Sequence, residues 1–258
     1  RSKNRTFAIT NGGTFPADTT FESGKLATPV KDGYKFVDWF TKDGTNGDWG
    51  EKVTAPAANK TYYAKWETCT HAAKTYVASG NVITEKCADC GQVFGTATLT
   101  LPENLVYDGQ AKVAAVTYSE GWTGEKNLTV TYDEAEIAPV DAGTYTVKIT
   151  VGDAKVTQSM TIAQATPTIT IQADKDTLTG GGDVVLTVVA EPKDGEVSVT
   201  CDKADVKVTA NKENGTFSAT LPNSSETYTF TATVKYGENA NYVDGTAPCT
   251  VTVTYQST

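Results

Sequence analysis

The stretch GTYTVKITVGDAKVTQSMTIA, residues 143–163, decides the fold class of this chain. From Tyr145 to Val151, apolar side chains alternate with Thr and Lys, which is the period of a strand buried on one face. The pair Gly152-Asp153 supplies a turn, and a second alternating run follows it. The sequence therefore predicts a long antiparallel hairpin at this point.

The residues before this hairpin carry further strand signals. Two candidate strands flank the turn Asp108-Gly109, and LTVTY at residues 128–132 is a third. The spacing Asp141-x-Gly143-x-Tyr145 is typical of a tyrosine corner, in which the phenol closes the preceding loop. The pattern YDG followed by DAGTYTV is similar to the bacterial immunoglobulin-like modules called MBG. This resemblance implies an Ig-like domain over residues 99–165.

The last part of the chain, residues 166–258, reads as a second sandwich. Its strand candidates are TITIQ, DVVLTVVAE, EVSVTC, DVKVTA, GTFSATLP, ETYTFTATVKY and CTVTVTYQ. They are spaced by turn-forming residues, as in a β-sandwich. One inward stripe is predicted, formed by Tyr228, Phe230, Ala232, Val234 and Tyr236. The segment resembles another bacterial Ig-like domain.

The first part, residues 1–67, contains the strand candidates TFAIT, KDGYKFVDWF and TYYAKW and the turn NGG. The order F-x-x-x-NGGT, P-x-x-x-GY-x-F-x-x-W and YYAKW resembles the Listeria–Bacteroides repeat, which is the internalin B-type repeat. That family usually has Gly where this chain has Asp38. The resemblance implies a compact β-grasp-like module that serves as a spacer or an interaction unit on a bacterial surface.

Between these parts, residues 68–98 form a predicted connector hairpin that holds four metal-ligating side chains. Cys69, His71, Cys87 and Cys90 occur as two closely spaced pairs, and His71 is the only histidine in the chain. A hairpin about Gly80 would bring the two pairs together into the tetrahedral N/S shell that zinc prefers. We expect structural zinc, because all four positions are supplied by the protein.

A disulfide is the alternative for this cluster. Either Cys87 with Cys90, or Cys69 with one of them, would leave one thiol spare, and free thiols are a third interpretation. A Cys-x-His segment followed by Cys-x-x-Cys-Gly also recurs among surface proteins that carry these repeats. That resemblance implies a structural staple.

Two further cysteines lie in the last module. Cys201 and Cys249 each share a strand face with apolar neighbours, so both sulfurs are expected to point inward. A disulfide between them would close a long loop and stabilise the module by about 4 kcal/mol. Buried free thiols are the alternative, because simple strand order places the two cysteines far apart.

The tryptophans divide into two classes. Trp39 and Trp66 lie in strand patterns and are expected in the core. Trp49 and Trp122 lie in polar loops that contain glycine. An exposed indole there could stack on a sugar ring, so both are candidate ligand-binding residues. The alternative is that each ring packs over the edge of its own module.

Composition narrows the function. The formal net charge is −9 without a basic patch, which argues against nucleic acid as a partner and against an anionic membrane surface. No apolar run is long enough to span a bilayer. With one histidine already placed among cysteines, a Ser-His-Asp or Cys-His arrangement has no free base, so we expect no enzyme.

The sequence as a whole predicts a mainly β, multi-domain array from a bacterial cell-surface or secreted protein. We expect a monomer that acts as a stalk or as part of an adhesin. A module that binds a host glycan or a surface protein is an alternative, and so is an accessory region of a large secreted hydrolase.

Overall fold

The structure is a computed structural model that describes residues 13–258 except 18, 21, 23, 58 and 239. The described residues form seventeen strands and a single 3-10 turn, Thr45–Gly47, without an α-helix, so the predicted all-β class is confirmed. None of their helical segments has the length and hydrophobicity to cross a bilayer. The predicted strand at residues 6–10 and the turn residues Asn11 and Gly12 lie outside the described residues.

The chain divides into two compact units. The first comprises the described residues up to Pro102 together with Ala114–Ile137 and Thr146–Gln158. The second comprises Glu103–Val113, Ala138–Tyr145 and Ser159–Thr258. Both units therefore draw on residues 99–165, which the sequence predicts as one module.

The first unit begins with a two-stranded antiparallel sheet made of β1, Tyr34–Phe40, and β2, Tyr63–Thr68. Its register shifts between Phe36 and Asp38, which marks a β-bulge in the sheet. The small core beside it contains Trp39, Tyr62 and Ala64, with Phe15, Leu26, Phe36, Val53 and Trp66 packed against them. Trp39 lies in this core as predicted, whereas Trp66 is half-buried and packs against it.

A four-stranded antiparallel sheet follows, with its strands in chain order. The strands are β3, Lys74–Ser79; β4, Val82–Cys87; β5, Val93–Thr100; and β6, Ala115–Tyr118. The hairpin between β3 and β4 turns at Gly80, whose φ of 58° is left-handed, as predicted. Strand β5 crosses the predicted boundary at 98/99, because its buried positions Gly95, Ala97 and Leu99 continue one alternation without a break. The connector and the start of the next segment thus share a sheet.

The long hairpin predicted at residues 143–163 is present. Its strands are β8, Gly143–Val151, and β9, Ala154–Ile162, and they form a three-stranded sheet with the short β7, Thr131–Tyr132. The Tyr145 hydroxyl donates to the Asp141 carbonyl oxygen at 2.9 Å, which is the predicted tyrosine corner. The predicted strand at 128–132 is reduced to β7, since the Leu128 N–H donates to the side-chain hydroxyl of Tyr118 at 3.1 Å and not to the backbone of a neighbouring strand.

The second unit contains a β-sandwich of two four-stranded sheets, ordered β10-β12-β15-β14 and β11-β17-β16-β13. The strands are β10, Thr168–Ala173; β11, Thr177–Thr179; β12, Gly182–Glu191; β13, Glu196–Cys201; β14, Thr209–Asn211; β15, Thr216–Leu221; β16, Thr227–Lys235; and β17, Gly245–Thr254. Both sheets contribute to one apolar core. The predicted stripe on β16 faces it, with Tyr228, Phe230, Ala232 and Val234 at most 1% exposed.

Two details of this sandwich differ from the sequence prediction. DVKVTA forms only the short strand β14, because Val206 N–H bonds to the nearby Lys203 carbonyl and closes a turn there. Strand β11 was not predicted, and it pairs in parallel with β17. Only three residues long, it is too short to show an alternating pattern.

The predicted disulfide between Cys201 and Cys249 is wrong. Both thiols do point toward the core, but they lie on β13 and β17, the two strands that flank β16. Each cysteine pairs with Phe230, from opposite sides, so the buried phenyl ring lies between them. Two strand spacings separate their Cα atoms by about 10 Å, which is beyond the reach of a disulfide. Both are free cysteines.

We therefore expect the melting temperature of the second unit to be unchanged by a strong reductant. Peptide mapping after alkylation under non-reducing conditions should find Cys201 and Cys249 in separate, alkylated peptides. The double variant Cys201→Ser and Cys249→Ser is the control for any reductant effect elsewhere in the chain. A linked peptide containing both cysteines would contradict this topology.

Candidate metal centre

The four predicted ligands converge at one point in the first unit. Cys69 directly follows β2, Cys87 is the last residue of β4, and Cys90 lies in the turn that leads to β5. The ligand atoms of these three residues and of His71 all lie within 4.8 Å of one another. Among the described residues this is the one group of metal-ligating side chains with such a spacing.

Backbone hydrogen bonds hold the two ligand pairs in place. The Gly91 N–H donates to the Cys87 carbonyl at 3.0 Å, and the Cys87 N–H donates to the Gln92 carbonyl at 2.8 Å. This tight turn requires a left-handed residue, which Gly91 supplies with a φ of 76°. On the other side, the His71 N–H donates to Cys69 Sγ at 3.4 Å. The sequence therefore folds each pair as a short loop with its ligands turned inward.

The sulfur atoms are shielded from water. Cys69, Cys87 and Cys90 are 6%, 1% and 4% exposed, and the Phe94 ring packs against the cluster. Cys69 Sγ lies 3.4 Å from Cys87 Sγ, and Cys90 Sγ lies 3.3 Å from His71 Nδ1. The cluster is thus compact and closed, with the imidazole half-buried at its edge.

The surroundings of Cys87 and Cys69 shift the pKa values of the two thiols in opposite directions. Burial opposes ionisation of Cys87, but hydrogen bonds from the His71 ring and from the backbone N–H groups of Cys90 and Asp89 outweigh it and lower the pKa of Cys87 to about 6. Burial raises the pKa of Cys69 to about 11, and its neighbouring sulfurs add to the effect. Of these two thiols, Cys87 is therefore the one that ionises more readily.

The residues fit a zinc ion. A tetrahedral zinc site with Zn–S bonds of 2.3 Å places its sulfurs about 3.8 Å apart. The 3.4 Å separation of Cys69 Sγ and Cys87 Sγ and the 4.8 Å limit for the whole group are close to these dimensions. Three thiolates and one imidazole favour zinc over calcium or magnesium. All four positions are supplied by the protein, as in structural sites.

A second polar cluster, which the sequence analysis missed, surrounds a fully buried carboxylate on β4. Glu85 Oε1 accepts from the Thr123 N–H at 3.1 Å and from its hydroxyl at 2.7 Å, and Oε2 accepts from the Tyr76 hydroxyl at 3.2 Å. Lys74 Nζ lies 3.9 Å from Oε1. Burial alone would raise the pKa of Glu85, but the Thr123 bonds, Lys74 and Tyr76 outweigh it and lower that pKa.

We expect Glu85→Gln to lower the free energy of unfolding of the first unit by about 1–3 kcal/mol at neutral pH, since the charge-assisted bonds weaken. Because the folded-state pKa of Glu85 is depressed, its contribution is present above the ordinary value of 4.5 and is lost as the pH falls through the lower folded value. Urea unfolding of both proteins from neutral pH to about pH 3 measures this. Equal slopes of stability against pH would contradict it.

Trp122 is not the exposed platform that was considered. Its side chain is 2% exposed, and its ring lies between those of Tyr76 and Tyr118, with centroid distances of 5.8 Å to each. Its indole N–H donates to the Glu125 carbonyl at 3.1 Å. The loop backbone also packs on β5, where a Cβ on Gly95 would lie 2.2 Å from the Trp122 nitrogen. Trp122 therefore anchors this loop to the sheet.

Trp49 is half-buried in its loop. Its ring lies 5.7 Å from that of Phe40, and Lys65 Nζ lies 5.4 Å from the ring centroid. A Cβ on Gly44 would lie 2.3 Å from the ring. These contacts cover the indole from several directions and favour the edge-packing alternative over a sugar-binding platform.

Comparison with known proteins identifies one segment of the chain. Residues 97–177 match the family profile of the MBG domain, which agrees with the resemblance noted for residues 99–165. The match covers less than half of the chain. No curated protein matches the chain.

Several solved structures are similar at low identity. Murine CEACAM1b is 12% identical over 70% of this chain and 98% of its own, with a TM-score of 0.28. InvD of Yersinia pseudotuberculosis is 14% identical over 62% of this chain and 58% of its own, with a TM-score of 0.26. The Yersinia pseudotuberculosis adhesin InvE is 18% identical over 60% of this chain and 58% of its own, with a TM-score of 0.26.

Proposed function

We propose that this chain is a non-enzymatic segment of a bacterial cell-surface or secreted protein, in which β modules are joined by a zinc-clasped connector and serve as a spacer or adhesin region. The observation that carries the proposal is the closed cluster of Cys69, His71, Cys87 and Cys90, with ligand atoms within 4.8 Å. The MBG match at residues 97–177 supports a surface location.

Zinc at this cluster would have a structural role. Bound there, the ion would supply a cross-link between the end of β2 and the β4–β5 turn. Cys69 is also tied to the first module, because its N–H donates to the Gly33 carbonyl at 3.0 Å. We call the cluster of Cys69, His71, Cys87 and Cys90 with its metal ion the clasp. The clasp would therefore fix the junction between the Listeria–Bacteroides-like module and the connector sheet, and both lie in the first unit.

The spacer version is favoured over a glycan-binding version. The two aromatic rings proposed for sugar stacking have other roles, because Trp122 is buried and Trp49 packs against Phe40. Polar clusters in the first unit, such as the one around Glu85, are likewise occupied in holding loops to strands. A partner such as a host glycan or surface protein would have to bind a different surface.

Location and adhesion are tested separately. Antibodies raised against the purified chain are expected to label intact cells of the source organism, and protease treatment of those cells should remove the label. Label confined to lysed cells would contradict the proposal. A glycan array and a host-cell binding assay with the zinc-loaded chain then distinguish a spacer from an adhesin. A spacer is expected to show no saturable binding in these assays, whereas an adhesin is expected to show it.

A further inference from the structure

A close sulfur–sulfur contact joins the two ligand pairs of the cluster of Cys69, His71, Cys87 and Cys90. Cys69 Sγ and Cys87 Sγ are 3.4 Å apart, although eighteen positions separate them in the chain. A disulfide needs a sulfur–sulfur distance of about 2.05 Å, so closing the bond requires a movement of only about 1.4 Å. Both side chains are buried and their sulfurs face each other, which limits the other thiols that either sulfur could reach.

We propose that the clasp has a second covalent state, in which Cys69 and Cys87 form a disulfide and the zinc ion has left. This inference rests on the proposed function of the cluster, and it replaces the choice between zinc and a disulfide with two interchangeable forms. The oxidant is a peroxide, which oxidises thiolates and acts in the oxidising surroundings that the proposed surface location implies.

The reaction balances in two steps. One thiolate attacks an oxygen of hydrogen peroxide, so that the O–O bond breaks, a sulfenic acid forms and hydroxide leaves. The second thiol then displaces the sulfenic oxygen as water and closes the S–S bond. Two electrons pass from the sulfurs to the peroxide. Only Cys90 and His71 remain as ligands, and two ligands do not hold a structural zinc ion.

The pairing is set by the geometry of the four ligands. Cys90 Sγ is engaged with His71 Nδ1 at 3.3 Å, whereas Cys69 Sγ and Cys87 Sγ are in contact. Cys87 and Cys90 belong to one tight turn, closed by the bond from the Gly91 N–H to the Cys87 carbonyl. The Cys69–Cys87 bond is therefore expected ahead of the bond within the Cys-x-x-Cys turn.

The consequence is that oxidation changes the chemistry of the clasp while preserving its connection. In both forms the residue after β2 is tied to the last residue of β4. The junction with the first module, through the Cys69 N–H and the Gly33 carbonyl, has no need to break. The segment would therefore keep its fold in a reducing, zinc-containing environment and in an oxidising one.

Peroxide titration of the full chain tests the inference. The chain is reduced, loaded with zinc, freed of excess metal and treated with increasing hydrogen peroxide. Released zinc is measured with a chromogenic chelator, and remaining thiols are alkylated before non-reducing peptide mapping. We expect zinc release to match formation of the Cys69–Cys87 peptide link, with Cys90 alkylated and the far-UV circular dichroism unchanged.

Two cysteine variants, and a sample of the chain without zinc, test which cysteines become linked. Cys90→Ser should still form the Cys69–Cys87 link, and Cys69→Ser should not form a link in its place. A Cys87–Cys90 link, a Cys69–Cys90 link, or zinc release without a linked peptide would overturn the inference. If the chain takes up no zinc, the proposed metal site is refuted. Peptide mapping of the same sample still shows whether Cys69 and Cys87 form a disulfide, so the two proposals fail separately.

Discussion

Cys87→Ala is expected to abolish zinc binding and to unfold the connector hairpin locally, even with zinc in excess. Cys87 is 1% exposed and belongs to both the ligand cluster and the end of β4. Structural zinc contributes on the order of 10 kcal/mol to the folding of small segments, far more than one truncated thiol. A comparable loss is expected for each of the other three ligands, because the metal shell needs all four of them.

Hydrogen exchange followed by mass spectrometry measures this effect. Amides of β3, β4 and the first half of β5 should exchange rapidly in Cys87→Ala, and in the reduced wild-type chain after zinc is removed with a chelator. Cys201→Ala is the matched control, since it removes a half-buried thiol from the second unit and should leave the connector protected. Connector protection that survives both the variant and the chelator would refute a structural metal.

Trp122→Ala is expected to lower the free energy of unfolding of the first unit by about 3–5 kcal/mol, the range for a buried aromatic side chain. The substitution removes the ring contacts with Tyr76 and Tyr118 and the hydrogen bond to the Glu125 carbonyl. It also loosens the loop that places Thr123 on the Glu85 carboxylate. Local packing and a buried charge are therefore affected together.

Urea denaturation monitored by circular dichroism provides the measurement, and Trp49→Ala provides the control. Trp49 is half-buried at a module edge, so its loss should cost no more than about 1 kcal/mol. If Trp122→Ala had wild-type stability and instead lost binding to a glycan, the anchoring role would be refuted and the ligand-binding prediction restored.

Periodicity predicted most of the fold because the strands are long and buried on one face. The hairpin of β8 and β9 and the inward stripe of β16 follow directly from alternation. Short strands such as β11 carry no period, and their pairing is decided by tertiary contacts. The boundary predicted at residues 98/99 falls inside β5, which continues one alternating pattern across it.

The metal-ligand cluster was predictable, and the polar cluster was not. The spacing of Cys69, His71, Cys87 and Cys90 is a local signal, and a single hairpin is sufficient to bring the ligands together. Glu85 in the same hairpin resembles any polar strand residue until the loop with Trp122 and Thr123 closes over it. The sequence does not encode that closure in a recognisable motif.

The cysteines of the second unit show the limit set by topology. Inward orientation of Cys201 and Cys249 followed from alternation and is correct. Their pairing depended on strand order, which periodicity does not determine. Because β16 lies between their strands, the inference from orientation to a disulfide failed.

Zinc content under reducing conditions tests the central claim most directly. The chain is purified without air in a reductant that does not chelate metal, and zinc is measured per chain by elemental analysis alongside a count of reactive thiols. We expect zinc and protein in equal amounts, with Cys69, Cys87 and Cys90 protected from alkylation in the folded, zinc-loaded chain, and no zinc in the Cys87→Ala variant. A reduced wild-type chain that holds no zinc, with all five thiols reactive, would contradict it.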